Sequence, residues 1–377
     1  MDYEPIDRYY HGFLTKRDIE PLLKEDGDFL IRKTDWKDII TLSLDVCTNK
    51  MIKHFLINQN SNGEIYIEKI KKKSIDELIK WYLLTKKPLT QNSQIVLRNG
   101  IPRPNWLVQK AQVKMLKKLG EGAFGEVYCG EYTDGNDRMH LAAIKTMHDN
   151  ASRASRFSFL KEARIMRKFD HPNIVRIFGV VADQSPLLIL MELCEGGSTL
   201  SFLRKNRGMI LPSLKLRFIT ECASGLKYLE EKNCIHRDIA ARNCLLTRDY
   251  HIKLSDFGMS DEKTPIQDKS LDKVPIKWLA PETMQNRIYS TKTDVWSYGC
   301  EPYPSLSNIQ TRAKIIVQNY RMDMPEGTPS EVSLLIGRCW AQNPIDRPSF
   351  TKIHEELKRI TAAAITESTV STSGDKE

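Results

Sequence analysis

One stretch of ten residues decides the fold, Cys234-Ile235-His236-Arg237-Asp238-Ile239-Ala240-Ala241-Arg242-Asn243. It places an aspartate and an asparagine five residues apart, a spacing that suits phosphoryl transfer. The aspartate can accept a proton from an attacking hydroxyl, while the asparagine holds one of the Mg²⁺ ions that neutralise charge on the transferred phosphate. Because His-Arg-Asp alone recurs by chance in surface loops, the prediction depends on whether partner motifs follow in order.

A glycine-rich loop lies upstream, in the segment Leu119-Gly120-Glu121-Gly122-Ala123-Phe124-Gly125-Glu126-Val127. Glycines at this spacing let the backbone close over phosphates. The same spacing also marks dinucleotide-binding loops, but those loops open a helix. Here a strand-like stretch continues from Val127, which argues against a dinucleotide site and favours a phosphate-binding loop between two strands.

Further motifs follow in the order that a protein kinase requires. Lys145 ends the strand-like stretch Leu141–Lys145 and is suited to gripping phosphates, and Glu162, on a helical pattern, can pair with it. Asp256-Phe257-Gly258 supplies a second metal ligand, and Ala280-Pro281-Glu282 closes the segment that begins there. Alone, the lysine and the glutamate would be ordinary solvated charges. Five elements in one order predict a protein kinase that uses ATP and Mg²⁺.

The catalytic loop also indicates the acceptor. Kinases that modify serine usually carry a lysine two residues after the catalytic aspartate, whereas this chain has Ala240-Ala241-Arg242 there and Pro275-Ile276-Lys277-Trp278 before Ala280. Both features resemble the protein tyrosine kinases. That resemblance implies a site deep enough for a phenol ring, with Arg242 near the substrate hydroxyl, so tyrosine is the expected acceptor.

A second module is indicated in the amino-terminal third. The segment Gly27-Asp28-Phe29-Leu30-Ile31-Arg32 places an arginine at the inner end of an apolar strand, where an unpaired guanidinium would be costly. We therefore expect an anionic group to meet it. Upstream, Tyr9-Tyr10-His11-Gly12 leads into a helix that Thr15 should cap, and a closing helix should begin at Ser74.

This arrangement resembles an SH2 domain. The resemblance implies that Arg32 grips a phosphotyrosine through two phosphate oxygens, a geometry that lysine cannot reproduce. It also implies that Lys16 touches the phosphate from the first helix, that Thr34 begins the phosphate loop and that His54 lines the pocket wall. His54 could equally be a hydrogen-bonded core histidine.

An SH2 pattern directly before a tyrosine kinase pattern, with Asp-Phe-Gly-Met-Ser at 256–260 and Asn-Pro-Ile-Asp-Arg-Pro at 343–348, resembles the Fes/Fer family of non-receptor kinases. The resemblance covers about residues 8–360. Members commonly carry an F-BAR and coiled-coil region in front of the SH2 domain. This chain begins almost at the SH2 pattern, so no membrane or oligomer role of that region is transferred to it.

The family resemblance implies an α+β fold in which an SH2 domain, a central antiparallel sheet flanked by two helices, precedes a bilobal kinase. The kinase should have a β-rich small lobe and a mainly helical large lobe. The expected boundaries are 8–98 for the SH2 domain, 99–112 for a linker, 113–362 for the kinase and 363–377 for a disordered tail.

The resemblance also implies a set of site residues. The ATP site comprises the glycine-rich loop and Lys145 with adenine-flanking and hinge residues, namely Val127, Ala143, Met191, Glu192, Cys194 and Leu245. Its apolar members could equally be plain core. The catalytic residues are Asp238, Lys145, Glu162 and Arg242, and the Mg²⁺ ligands are Asn243 and Asp256. Tyrosine-phosphorylated proteins are the expected partners, tethered through the SH2 domain, which should also brace the small lobe.

Composition limits the other possibilities. No apolar run in the 377 residues approaches the roughly twenty needed to cross a bilayer, so we expect a cytoplasmic protein, with recruitment to the plasma membrane surface an open alternative. Eight cysteines without Cys-x-x-Cys spacing argue against a zinc site or a disulfide framework. The net charge of +9 is not concentrated in a dedicated basic arm, so no nucleic-acid partner is expected.

The sequence departs from the family in two places. No tyrosine lies between Asp256 and Glu282, where the family carries a phosphoacceptor that pairs with the arginine of His-Arg-Asp, here Arg237. Asp268 could substitute weakly as a fixed charge, or Thr264 or Ser270 could accept phosphate from another kinase.

The second departure follows the start of the long helix at Thr293-Asp294-Val295-Trp296-Ser297-Tyr298-Gly299, where Cys300-Glu301-Pro302-Tyr303-Pro304 comes next. About ten residues are missing relative to the family, nearly three helical turns. A faulty or alternative transcript, a real deletion and a pseudokinase are the competing explanations. The rival function is a phosphotyrosine-binding adaptor with an impaired kinase domain.

Overall fold

The computed structural model of the chain describes residues 6–37, 39–122, 125–148, 151–262, 264–268, 275–298, 303 and 305–371, with the backbone alone at 364–371. The chain forms two compact units. The first spans Met1–Arg164 and Ile177–Glu192, and the second spans Ile165–Arg176 and Leu193–Glu377.

The first unit begins with a seven-stranded sheet, counted over the described residues. Its elements are β1 (Tyr10–Phe13), α1 (Lys16–Ile19), β2 (Asp28–Trp36), β3 (Ile39–Thr48), β4 (Met51–Gln59), β5 (Ile65–Ile67), β6 (Ile70–Lys72), α2 (Ile75–Thr85) and β7 (Asn99–Gly100). The order is β1-β2-β3-β4-β5-β6, with β7 also against β2. The main strands pair antiparallel, while the short β1 and β7 run parallel to β2.

Helix caps and buried strand residues stabilise this part of the fold. Thr15 and Ser74 begin α1 and α2 as predicted: the Thr15 N–H donates to the Asp18 carboxylate at 2.9 Å, and the Ser74 Oγ accepts from the Glu77 N–H at 3.2 Å. On β3 the inward-facing Leu44 and Val46 are fully buried, whereas Ile40 near the strand start is 51% exposed. Ser43 and Asp45 on the other face are also fully buried, so this part of β3 is covered on both faces.

A second sheet of the first unit contains the glycine-rich loop. Its elements are β8 (Leu107–Val108), β9 (Val113–Gly122), β10 (Gly125–Thr133), β11 (Met139–Thr146), α3 (Arg153–Met166), β12 (Ile177–Val181) and β13 (Leu188–Met191). The strand order is β8-β12-β13-β11-β10-β9. The strand-like stretches predicted on both sides of the glycine-rich loop therefore form one antiparallel hairpin, β9–β10.

The two sheets of the first unit share one hydrophobic cluster. Phe13 and Leu30 from the first sheet lie in the same cluster as Phe159 and Ile189 from the second. At Gly12, with φ of +64°, a Cβ would lie 2.1 Å from the carbonyl oxygen of Ala182, so only glycine permits this approach. The amino-terminal module is thus packed against the small-lobe sheet through core side chains.

Residues 99–112, expected as a linker, are ordered by pairing at both ends. β7 pairs with β2 of the first sheet, and β8 pairs with β12 of the second. Between these strands, Trp106 packs against the shared hydrophobic cluster, and its carbonyl accepts a hydrogen bond from the Val180 N–H at 2.8 Å. This segment connects the two sheets as part of their packing.

The second unit is mainly helical. Its elements are β14 (Gly197–Ser198), α4 (Thr199–Lys205), α5 (Pro212–Glu231), β15 (Cys244–Leu246), β16 (Ile252–Leu254), β17 (Ile266–Gln267), α6 (Pro281–Asn286), β18 (Ile288–Tyr289), α7 (Thr291–Ser297), α8 (Asn308–Gln318), α9 (Ser330–Cys339) and α10 (Phe350–Ser371). The short strands form a three-stranded sheet, β14-β15-β16, and a pair, β17-β18. Among the described helices of the chain, none is long and apolar enough to cross a bilayer.

The carboxyl-terminal helix extends further than expected. We expected disorder from residue 363, but the backbone of α10 is helical through Ser371, and residues 372–377 lie outside the described residues. The run Ala362-Ala363-Ala364 accounts for the difference, because alanine loses no side-chain entropy in a helix and has the highest helix propensity.

The long helix predicted from Thr293 is represented by α7, which is seven residues long. The apparent deletion falls on residues 299–302 and 304, which lie outside the described residues. In the second unit a cavity of about 410 Å³ is lined mainly by apolar side chains of α5, α9 and α10, and by Tyr298 just after α7. Side chains that line such a cavity lose dispersion contacts, which lowers stability.

Candidate active site and phosphotyrosine pocket

The glycine-rich loop is positioned by the β9–β10 hairpin. At Gly125, with φ of +156°, a Cβ would lie 2.0 Å from the carbonyl oxygen of Thr146, so the start of β10 requires glycine. Ala123 and Phe124, predicted to contact ATP at the loop tip, lie outside the described residues. The hairpin confirms that the glycines connect two strands, as the phosphate-loop prediction requires.

Lys145 and Glu162 form the predicted ion pair. The Lys145 Nζ donates to both carboxylate oxygens of Glu162, at 2.7 and 2.8 Å. Glu162, on α3, is 2% exposed, so its charge is held away from solvent and depends on the lysine. The pair fixes the Lys145 ammonium at the end of β11, directly opposite Val127 of the hairpin.

The residues that the resemblance assigns to the adenine are found in both units. In the first unit, Ala143 of β11 pairs with Met191 of β13, and Glu192 follows directly. In the second unit, Cys194 precedes β14, and Leu245 lies in the middle of β15. Each of these side chains is partly exposed in its own unit rather than fully buried, which is compatible with contact to a ligand.

The catalytic loop holds Asp238 in a network of donors. Asn243 Nδ2 donates to Asp238 Oδ2 at 2.7 Å and to the Asp238 carbonyl at 2.8 Å, and Arg242 donates to Asp238 Oδ1. The Arg242 guanidinium lies 4.7 Å from the centre of the Trp278 ring. The Ala-Ala-Arg and Pro-Ile-Lys-Trp segments, from which tyrosine specificity was predicted, therefore meet beside the carboxylate.

His236 shapes this loop from inside the fold. Its Nδ1 accepts from the Asp238 N–H at 3.3 Å, so its Nε2 carries the proton and donates to the Ser255 carbonyl at 3.0 Å. Burial lowers the pKa of His236, which keeps the ring neutral as these two contacts require. Its ring lies 4.9 Å from that of Phe257, in agreement with a structural role.

The two predicted Mg²⁺ ligands are brought together through the backbone. The N–H and Oγ of Ser255 both donate to the Asn243 carbonyl at 2.9 Å, which places the next residue, Asp256, beside Asn243. Since both contacts of the Asn243 side chain use Nδ2, its Oδ1 is oriented as an acceptor for a cation. One carboxylate and one amide oxygen suit Mg²⁺, which also takes phosphate and water ligands.

The described part of the chain contains no cluster of three or more His, Cys, Asp or Glu that could hold a metal ion.

Asp294 on α7 supports the catalytic loop and was missed by the sequence reasoning. Its carboxylate accepts from the N–H groups of His236 and Arg237, at 2.7 and 2.8 Å. Burial raises the pKa of Asp294 to about 7. The sequence contained one signal for this contact, since Asp294 stands beside the apolar Val295 and Trp296. A carboxylate in a buried helix needs a hydrogen-bonding or charged partner. The short α7 thus retains the contact that fixes the loop.

Arg237 has a fixed negative partner. Its Nη2 lies 2.8 Å from Asp268 Oδ2, and its guanidinium lies 4.2 Å from the centre of the Tyr289 ring. The β17–β18 pair holds Asp268 in place, and its N–H donates to the Arg287 carbonyl at 3.1 Å. The contact supports the hypothesis that Asp268 replaces a phosphorylated tyrosine, while Ser270 lies outside the described residues.

Replacing Asp268 by asparagine is expected to lower kcat about tenfold while leaving the KM for ATP unchanged. The reason is that Arg237 of the catalytic loop would lose the negative charge of Asp268, its ion-pair partner. Steady-state kinetics on a tyrosine peptide measure the change. Thr264→Ala serves as the control, since it alters the same segment without touching the ion pair. Unchanged kcat in Asp268→Asn would show that the pair does not order the segment.

The predicted phosphotyrosine arginine is buried and partly paired. Arg32 donates through Nε to Asp45 and through Nη1 to the Leu14 carbonyl at 2.8 Å. These contacts use two of its five N–H groups, so within the described residues donors remain for a phosphate. Burial raises the pKa of Asp45, but hydrogen bonding from His54 and the charge of Arg32 outweigh it, so the net pKa is lowered.

Asp45 is an anionic partner of Arg32 within the fold that the sequence reasoning did not locate, beside the phosphate expected for Arg32. His54 Nδ1 donates to the other Asp45 oxygen at 2.7 Å, which orients the imidazole. Asp45 lies on β3, opposite His54 of β4. Asp45 alternates with Leu44 and Val46 along β3, so it lies on the opposite face of the sheet. This alternation is visible in the sequence and could have indicated the position of Asp45.

All four residues predicted for phosphotyrosine line one cavity of about 1130 Å³ in the first unit, namely Lys16, Arg32, Thr34 and His54. His54 is 26% exposed, which favours the pocket-wall interpretation over a core histidine. The cavity extends beyond the first sheet, because side chains of α3 also line it.

Comparison with known proteins agrees with both modules. Residues 113–357 match the family described as protein tyrosine and serine/threonine kinase, and residues 9–82 match the SH2 domain. Fer-related kinase 1 of Caenorhabditis elegans is 46% identical over 366 residues, which cover 93% of each chain. Tyrosine-protein kinase Fer of Rattus norvegicus is 38% identical, with 93% of this chain and 44% of that protein covered.

The transforming protein Fps of Fujinami sarcoma virus is 37% identical, with 93% of this chain and 41% of that protein covered. The chain thus spans less than half the length of Fer and of this Fps protein, and corresponds to their SH2 and kinase part. The predicted fold class, with a β-rich first part and a helical second part, is confirmed. The chain belongs to the Fer/Fps family of protein tyrosine kinases.

Proposed function

We propose that this chain transfers the γ-phosphate of ATP to tyrosine side chains of proteins that its SH2 domain recruits through phosphotyrosine. The observation that carries the proposal is the network at Asp238, in which Asn243 and Arg242 orient both carboxylate oxygens. A carboxylate held in this way can receive the proton of an attacking hydroxyl.

Asp238 takes the proton from the tyrosine hydroxyl as the bond between that oxygen and the γ-phosphorus forms and the bond from phosphorus to ADP breaks. Arg242, stacked on Trp278, lies beside the acceptor oxygen and offers a positive charge to the phenol. Asn243 and Asp256 hold Mg²⁺, which neutralises charge on the phosphates.

The first unit contributes nucleotide binding. The β9–β10 hairpin covers the phosphates, and Lys145, oriented by Glu162, grips them. Val127, Ala143 and Met191, with Cys194 and Leu245 of the second unit, are assigned to the adenine. These roles rest on the motif positions and on the partial exposure of each side chain.

The SH2 domain brings the kinase to phosphorylated proteins in the cytoplasm or at the plasma membrane surface, and tethering raises the local concentration of acceptor tyrosines. Its packing also braces the small lobe, since Arg164 of α3 donates to Asp18 Oδ1 at 2.8 Å and to Thr15 Oγ1 at 3.1 Å. α3 carries Glu162, so this brace acts on the helix that positions Lys145.

A catalytically inert adaptor is the second candidate, and no observation favours it. The proton acceptor, the nucleotide lysine and both metal ligands are present, and Asp294 supports the loop.

Incubating the purified chain with Mg²⁺-ATP and a polymer containing tyrosine tests the proposal. We expect phosphotyrosine to form and to disappear when Mg²⁺ is chelated. Asp256→Asn is the control, because it removes the negative charge of the metal-binding carboxylate and conserves side-chain volume. If the unaltered chain forms no more phosphotyrosine than Asp256→Asn does, the kinase proposal is wrong and the adaptor function remains.

A further inference from the structure

The edge strand β6 and the helix α2 carry a dense group of lysines. The group, which we call the lysine surface, comprises Lys69, Lys71, Lys72, Lys73, Lys80, Lys86 and Lys87. All are exposed except Lys72, which is half-buried. Among the described residues that line the phosphotyrosine cavity, none of these lysines appears, so the lysine surface is separate from that pocket.

Nearby carboxylates do not neutralise this charge. Residues 68–87 contain seven lysines and three carboxylates, which leaves a net charge of +4. Each carboxylate accepts from a backbone N–H, namely Glu68 from Gln91 at 2.7 Å, Asp76 from Ile6 at 2.9 Å and Glu77 from Lys73 at 3.2 Å. Leaving Lys80 aside, no lysine of the surface forms an ion pair within the described residues. Unpaired charges of one sign attract an anionic partner over about a Debye length, roughly 8 Å at physiological salt.

Apolar side chains lie among these lysines. Trp81 is half-buried and Leu84 is 58% exposed. Both share one face of α2 with Lys80, because residues three and four positions apart meet on a helix. The ammonium groups of Lys72 and Lys87 each lie 5.6 Å from the centre of the Trp81 ring. Tryptophan and leucine flanked by lysines are typical of a protein face that rests between lipid headgroups and acyl chains.

We propose that the lysine surface docks on a membrane leaflet that contains anionic phospholipids. Its lysines contact the headgroups, while Leu84 and Trp81 enter the boundary between the headgroups and the acyl chains. This inference rests on the proposed recruitment to the plasma membrane and identifies the surface that mediates it. It requires neither phosphoryl transfer nor phosphotyrosine binding.

The contacts of Trp81 favour lipid over a single-stranded nucleic acid, the other partner that combines negative charge with an affinity for aromatic rings. A nucleobase needs a free ring face on which to stack. Two ammonium groups lie over the Trp81 ring and compete for its faces. An exposed leucine adds nothing to base stacking, whereas insertion into lipid removes its side chain from water.

Co-sedimentation of the full chain with vesicles tests the proposal. The vesicles are phosphatidylcholine with or without phosphatidylserine, and ATP and phosphotyrosine are left out. We expect binding to the vesicles that contain phosphatidylserine, and weaker binding as salt is added. Lys71→Gln combined with Lys73→Gln should lower partitioning about 25-fold, since each lysine near an anionic leaflet contributes about fivefold.

Lys24→Gln combined with Lys50→Gln is the matched control, because both are exposed SH2 lysines outside the lysine surface. This control should bind vesicles almost as the unaltered chain does. Leu84→Gln should lower partitioning about fivefold, because glutamine gains less from entering lipid. Met51→Gln, at a similarly exposed apolar position of the SH2 domain, should leave partitioning unchanged.

The membrane surface would be overturned if the unaltered chain ignored phosphatidylserine, if the two double variants bound equally, or if Leu84→Gln had no effect. Tighter binding to a short single-stranded RNA than to these vesicles would also overturn it and make nucleic acid the partner. Phosphotyrosine peptide binding and Mg²⁺-ATP turnover by the same preparations show separately that each variant is folded and whether the proposed kinase and SH2 functions hold.

Discussion

Replacing Asp238 by asparagine is expected to lower kcat for tyrosine phosphorylation by about 10²- to 10⁴-fold, the range associated with loss of a positioned general base. Asparagine has nearly the same shape and keeps one oxygen that can accept from Arg242, but its amide nitrogen cannot accept from Asn243, and the side chain cannot take the hydroxyl proton. The KM for ATP should change little, because Asp238 makes no assigned contact with the nucleotide. Steady-state kinetics with a tyrosine peptide give both constants.

Asp249→Asn is the control for this prediction. Asp249 is an exposed carboxylate on the turn that joins β15 to β16, so the same chemical change there should leave kcat unaltered. Circular dichroism should give the same helix content for both variants. A fall of less than about threefold in Asp238→Asn would mean that proton transfer does not limit the reaction or that another group accepts the proton.

Local chemistry explains which features could be predicted from the sequence. The Lys145–Glu162 pair was predictable from the order of the kinase motifs, although each residue alone would have been interpreted as an ordinary solvated charge. The caps at Thr15 and Ser74 follow from the first turns of their own helices. Asp238 and Asn243 lie five residues apart, so their hydrogen bond needs no tertiary information.

Contacts between distant segments explain what the sequence did not reveal. Asp294 bonds to backbone groups almost sixty residues away, and Asp45 meets Arg32 only because β2 and β3 pair in one register. The strands β7 and β8 are two residues each and exist only because an edge is available beside them. The contribution of α3 to the phosphotyrosine pocket depends on packing between modules, which residue spacing does not specify.

Replacing Arg32 by leucine is expected to weaken phosphotyrosine peptide binding at least about 100-fold, because removing a buried, hydrogen-bonded charge partner costs about 3 kcal/mol or more. The change removes the phosphate donors and leaves Asp45 with the side chains of His54 and Ser43 as hydrogen-bond partners. Activity on a soluble peptide should also fall, since the pocket shares α3 with Glu162. Anisotropy and initial rates on one preparation measure both effects.

Two further variants separate recognition from folding. Arg32→Lys keeps the positive charge beside Asp45 but cannot grip two phosphate oxygens, so it should remain folded and still lose most of the affinity. Lys69→Leu makes the same kind of change at an exposed SH2 position outside the cavity and should bind normally. If Arg32→Lys binds within threefold of the unaltered chain, two-point recognition of the phosphate is wrong, and Arg32 serves mainly to neutralise Asp45.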